Sequence, residues 1–267
     1  MLLLTSIAVT SLLAGAGAYV WSRRSAMAAN VLVPLLLALV CGKAVLDAKP
    51  AWEWTLFPWP GYAFVQGFAL YGIAVVFFGV AAARLPVRWN RLVVLALGVA
   101  VLGHGLHRHA WLAWPEVHGD GRVPGVDHHL VQSTHYTCGP AACAAALSHL
   151  GIVVSERDMA AMCLTRSSGS RLFDLYRGLV VALDGRAIDV SIEDLPAEAL
   201  LASDLVVVAA NSGFGHALCL VTTNGAATVH DPLQPYAQRW DGAEVRREYR
   251  GPAIVLRGRD GVATPVR

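Results

Sequence analysis

The segment Gln132-Ser-Thr-His-Tyr-Thr-Cys138-Gly-Pro-Ala-Ala-Cys143 decides how the rest of this chain is read. Pro140 suits the start of a helix, because its fixed φ is helical and a first-turn N–H has no partner to lose. Apolar, alanine-rich sequence follows and Gly151 closes it, which predicts a helix over 140–150 with Cys138 just before its N-terminus. Patterning and turn residues then predict short helices over 155–163 and 170–183. Strands are expected over 187–192, 205–210, 217–223, 227–230 and 253–257. Helices first and strands after describe an α+β domain, helices packed on an antiparallel sheet.

Upstream, the composition changes. The 267 residues are 55% hydrophobic and 15% charged, and residues 1–112 carry the apolar excess. A membrane span needs about 20 apolar residues. Four stretches come close, at about 1–21, 26–46, 62–83 and 92–111. Pro34 and Lys43 in the second are tolerable, the lysine by snorkelling to the headgroups. Arg23 and Arg24 follow the first stretch, and Arg84, Arg88 and Arg91 precede the fourth, whereas Lys49 is balanced by Asp47 and Glu53. The positive-inside rule then places both arginine loops in the cytoplasm and the C-terminal domain outside. A rival reading makes 1–21 a cleaved signal peptide and turns the domain inward, but the segment lacks a basic start. Residues 113–125, with Gly119, Gly121 and Pro124, read as a linker, 126–258 as the domain and 259–267 as a tail. A net charge of +2 without a basic tract excludes nucleic acid as a partner.

Two features invite more than one reading. The loop Lys49-Pro-Ala-Trp-Glu-Trp-Thr-Leu-Phe-Pro-Trp-Pro-Gly61 fits an aromatic belt at the headgroups, or a docking surface for a substrate or partner. His104, His107 and His109 read as an interfacial cluster, since a metal site needs convergent ligands with second partners and no acidic residue lies among them. No metal and no cofactor are expected. Of the five cysteines, Cys41 falls in a span, and Cys143, Cys163 and Cys219 read as small core residues, with one disulfide among them open.

Cys138 is different. A thiol attacks carbonyls as thiolate and has a free pKa of about 8.5, so it needs activation. The helix N-terminus favours a negative sulfur. Gly139 is expected to leave the backbone beside the sulfur open to a substrate carbonyl. Gln132 and the Cys138 N–H are candidate oxyanion donors. His216 opens the apolar run Ala217-Leu-Cys-Leu, and Asp231 follows the next strand, just before Pro232. Two antiparallel strands would bring His216 and Asp231 close, at opposite ends of one hairpin, so that Asp231 orients the ring and His216 serves as base. His230 and His135 are rival bases and Asn211 a rival orienter.

The segment from Gln132 to Ala142, the motif Gly215-His216-Ala-Leu and the motif His230-Asp231-Pro232 resemble the C39 peptidases. These are papain-like cysteine peptidases, best known as domains of bacteriocin-exporting ABC transporters that cut leader peptides after a double glycine. The resemblance implies catalytic Cys138, His216 and Asp231 and an oxyanion hole of Gln132 and Cys138. It also implies an endopeptidase on the bacterial inner membrane, its domain periplasmic or extracellular. The expected substrates are exported or membrane-anchored peptides or proteins, with a secretion-system or transporter partner. The alternative is a non-catalytic C39-like subunit that binds peptides as a scaffold. Departures from the family are Thr137 before the cysteine, Cys143 five residues after it, the domain's place after the membrane region, and the lack of an ATP-binding GxxxxGK[ST] motif.

Overall fold

A computed structural model describes residues 2–110, 117–203, 206–211 and 215–258. The predicted tail at 259–267 and part of the linker lie outside the described residues. Contacts divide the chain into two compact units, Met1–Lys49 with Phe64–Pro115, and Pro50–Ala63 with Glu116–Arg267.

The first unit holds α1 (Leu2–Arg24), α2 (Ala26–Ala48), α5 (Ala69–Arg84) and α6 (Arg88–Arg108). Ser25 separates the first two and caps the second, its Oγ accepting from the Ala28 N–H at 3.3 Å. Three helices, over Leu4–Arg24, Ala26–Ala48 and Arg88–Arg108, are long and apolar enough to cross a membrane. The third expected span departs from the sequence reading. It breaks after α4 (Tyr62–Gln66), and α5 has 16 residues. At 1.5 Å per residue that is roughly 24 Å, short of the roughly 30 Å hydrocarbon core. Small residues let α1 and α5 touch: a Cβ on Gly79 would lie 2.4 Å from the Gly15 carbonyl oxygen. Leu13, Met27, Leu37 and Val99 point outward, where lipid can cover them. Lys43 forms an i,i+4 ion pair with Asp47.

The second unit begins with α3 (Pro50–Leu56) and continues with α7 (Cys138–His149), α8 (Glu156–Met162) and α9 (Leu172–Ala182). Then come β1 (Ile188–Glu193), α10 (Ala197–Leu201), β2 (Val206–Asn211), β3 (Ala217–Thr223), β4 (Ala226–His230), β5 (Gln238–Trp240), α11 (Gly242–Glu248) and β6 (Tyr249–Gly258). The six strands form one antiparallel sheet in the order β1-β6-β2-β3-β4-β5. Side chains alternate across it. Val207, Ala209, Leu218, Leu220, Val229 and Val255 bury one face with Leu200 of α10 and Val245 of α11. Helix α7 packs on β2 and β3, and α8 and α9 lie against it. The α+β expectation therefore describes the second unit, with a helical layer on each side of the sheet.

Part of the aromatic loop is packed inside the protein, while Trp52, Leu56 and Trp59 stay exposed. The loop belongs to the second unit and packs on α9. Trp54 packs at a tilt on Tyr176, 4.3 Å between ring centroids, and Tyr62 meets Phe173 edge-on at 5.5 Å. Glu53, 1% exposed, accepts a hydrogen bond from the Tyr62 hydroxyl. Arg171 donates to the Ala63 carbonyl at 2.7 Å and, with Arg166, neutralises the fully buried Asp174. Belt and core favour the same apolar, aromatic residues, so composition cannot separate them.

Candidate active site

Cys138 is the first residue of α7, two positions earlier in the helix than Pro140 suggested. Thr137 precedes it but does not cap with its side chain. The Thr137 hydroxyl instead closes the turn before it, donating to the Thr134 carbonyl at 3.1 Å and lying 3.0 Å from the Thr134 hydroxyl. The first-turn N–H groups are thus left free to favour a negative sulfur, and the backbone N–H groups of Gly139 and, from β3, Ala217 both lower the thiol. Gly139 has a different role from the one expected. A Cβ there would lie 2.6 Å from a Leu175 methyl, so the residue is small to let α9 close on α7.

His216 and Asp231 flank the β3–β4 hairpin. The turn at its far end is made by Asn224 and Gly225, both at positive φ as a two-residue hairpin loop requires. With Cys219 opposite His230, the chain leaving the hairpin and the chain entering it run side by side at the open end. There His216 Nε2 and Asp231 Oδ1 are 2.6 Å apart. Gly215 turns the chain into His216 at φ +64°, a conformation that favours glycine. Asp231 Oδ1 also accepts from the Leu233 N–H at 2.9 Å, which fixes the carboxylate. With Nε2 turned to Asp231, Nδ1 is the nitrogen left to Cys138, and the two groups are near enough to shift each other's proton affinity.

Charge follows geometry. Burial pushes the Cys138 thiol up, but the His216 side chain, the two backbone N–H groups and the imidazolium charge outweigh it, and the thiol lies below its ordinary value. Burial lowers His216, yet Asp231 and the Cys138 sulfur lift it to about 9. Burial raises Asp231 and His216 more than reverses it. The arrangement favours a thiolate–imidazolium pair. Among the other buried thiols, burial and the neighbouring Cys163 push Cys143 well up, and burial pushes Cys219 up. All five cysteines are free thiols in the structure.

Gln132 sits in the turn leading to Cys138. Its N–H donates to the Pro232 carbonyl at 3.0 Å, beside Asp231, and its Nε2 donates one hydrogen to the Thr134 carbonyl at 2.6 Å. A second amide hydrogen remains.

The rival residues are engaged elsewhere. His230 is buried against α7, its Nε2 2.8 Å from His149 Nε2, with His129 stacked on His230 and His128 tilted against His149. Burial lowers His149 to about 3 and His230 to about 4. His135 is exposed and packs on Tyr136. The side chain of Asn211 lies outside the described residues. His104 and His109 pack on Tyr71, and His109 Nδ1 donates to the Gly105 carbonyl at 2.8 Å. Among the described residues no group of three or more His, Cys, Asp or Glu is placed to hold a metal ion. The Ala217 amide, the Leu233 amide and the histidine quartet were missed by sequence reasoning. Two are backbone groups and the third joins residues far apart in the chain.

No family model matches this chain, and no curated protein matches it. Among solved structures, it is similar to a double glycine motif protease from an AMS/PCAT transporter in complex with the leader peptide. That match has 17% identity and a TM-score of 0.43 and covers 52% of this chain and 94% of the other. It is also similar to the peptidase domain of Streptococcus ComA, a bi-functional ABC transporter involved in a quorum-sensing pathway, at 20% identity, a TM-score of 0.40, and 48% and 96% coverage.

Proposed function

We propose that the chain is a membrane-attached cysteine endopeptidase acting on exported or membrane-anchored peptides or proteins. The observation that carries this reading is the contact series Cys138–His216–Asp231, with the thiol lowered and the imidazole raised to about 9. In this reading the Cys138 thiolate attacks a peptide carbonyl, and the Cys138 N–H and the Gln132 amide hold the oxyanion. The tetrahedral species collapses to a thioester on Cys138. His216 gives its proton to the departing amine. Water then attacks the thioester while His216 takes a proton from it, releasing a carboxylic acid and restoring the pair. Asp231 keeps Nε2–H occupied, so Nδ1 faces the sulfur throughout. Cleavage after a double glycine is carried by the motif resemblance in the sequence, as is a separate transporter or secretion partner.

The test uses the full chain in detergent micelles with peptides bearing an internal Gly-Gly and matched Ala-Ala controls. Cleavage by the wild type that is abolished in Cys138→Ala supports the proposal. Cleavage that survives Cys138→Ala sinks it.

A further inference from the structure

We propose that Glu156 is a positioning residue for the oxyanion hole, acting through Gln132. The proposal rests on the peptidase reading, in which the Gln132 amide holds the oxyanion. Glu156 is the first residue of α8 and is fully buried. Its carboxylate is not needed as a cap, because Ser155 already fills that place, its Oγ accepting from the Asp158 N–H at 3.1 Å. Among the described residues no cation pairs with it. Instead both oxygens are taken by backbone N–H groups of distant loops. Oε1 accepts from Ser133 at 2.8 Å, and Oε2 accepts from Asp120 at 3.2 Å.

Desolvating a carboxylate is costly unless its lone pairs are met. Such a group fixes the backbone around it. Ser133 is the residue after Gln132, so the peptide unit that carries Gln132 is held from both ends. Its own N–H goes to the Pro232 carbonyl at 3.0 Å, and the next N–H goes to Glu156. One end is thereby tied to the Asp231 segment and the other to α8. The base of α8 is in turn fixed to the 119–122 stretch, with Glu156 N–H on the Arg122 carbonyl and Arg157 N–H on the Asp120 carbonyl, both at 2.9 Å. An amide donor to an oxyanion works only where it is already in place when charge develops. Glu156 supplies that placement without contact to the reacting atoms.

The test is Glu156→Gln in the full chain, which keeps the size but puts a donor where an acceptor is required. The kcat for a cleaved peptide is expected to fall about 10- to 100-fold, the scale of a small misplacement of a catalytic group, with KM nearly unchanged. Affinity for a peptide aldehyde, whose adduct carries the oxyanion, is expected to weaken by the same factor. Alkylation of Cys138 by iodoacetamide makes no oxyanion, so its rate and pH profile are expected to match wild type. Glu156→Gln added to Gln132→Ala is expected to cost nothing beyond Gln132→Ala. A wild-type kcat in Glu156→Gln, a loss confined to KM, slowed alkylation, or losses that add fully to those of Gln132→Ala each overturn the proposal while leaving the peptidase reading intact. A wild-type chain that cleaves no peptide and binds no aldehyde overturns that reading itself, and this proposal with it. Where Glu156→Gln does not fold, Glu156→Asp, with both oxygens set back by one methylene, carries the same comparison with smaller effects in the same directions.

Discussion

Replacing Tyr62 by Phe tests whether the aromatic loop is part of the second unit's core. The change removes one hydroxyl and keeps the ring, which stacks on Phe57 at 4.5 Å and meets Phe173 at 5.5 Å. What is lost is the hydrogen bond to Glu53, a carboxyl that is 1% exposed. A hydrogen bond to a charged group contributes about 1.5–3 kcal/mol, so a loss of about 2 kcal/mol is expected. Tyr62→Ala removes the ring as well and is expected to cost about 3–5 kcal/mol, the usual range for a packed aromatic. The structure supplies a reporter specific to this unit, because Cys143, Cys163 and Cys219 are each 0% exposed and belong to it. Pulsed thiol labelling of these three reads the fraction of time the unit is open. A loss of about 2 kcal/mol raises that fraction roughly 30-fold. Were the loop a headgroup belt, Tyr62→Phe would leave labelling of the three thiols at the wild-type rate. That result would refute its assignment to the core.

Four further outcomes follow from the same contacts. Asp231→Asn is expected to lower kcat by about 10²-fold or more, since it frees the imidazole to turn. His216 is raised to about 9 partly by Asp231, so the alkaline fall in activity, set by loss of the His216 proton, is expected to move to lower pH in this variant. Asp174→Ala is expected to cost about 3–5 kcal/mol in urea unfolding, because it strands Arg171 and Arg166 without their buried partner. His149 and His230 sit at about 3 and about 4, below the ordinary 6.5 of an unfolded chain, so the unfolded state binds more protons in acid. Their contribution to stability is present above about pH 6.5 and is lost as pH falls toward 4. At pH 5 the pair is expected to have lost about 2 kcal/mol, discounted for mutual coupling and the partial exposure of His149. Urea midpoints at pH 7 and pH 5 check this, and a midpoint independent of pH would count against it.

The reach of the sequence was uneven, for physical reasons. The places of Cys138, His216 and Asp231 in the fold were legible because each stands beside a punctuating Gly or Pro at the end of a regular element, and such ends set where side chains go. The strands of the sheet interior announced themselves by β-branched runs. The edge strand β5, only three residues long, carries no period to read. Helix α11 carries a local signal, the pair Asp241 and Glu244 of a capping box. Gly139 was misjudged because its neighbour, Leu175, lies far along the chain. The break in the third expected span, and the docking of Trp54 and Tyr62 on α9, are likewise decided by tertiary packing, which a hydropathy pattern does not contain.

On the proposed reading, Cys138 and His216 form an activated pair. Its most direct measure is the rate of iodoacetamide alkylation at Cys138 against pH, located by mass spectrometry, in wild type and in His216→Ala. The pair is expected to react well below the ordinary thiol range of about 8.5, hold a plateau, and change again near pH 9 as His216 loses its proton. In His216→Ala the low-pH reactivity is expected to vanish. A single titration at or above the ordinary thiol range, unchanged by His216→Ala, would contradict it.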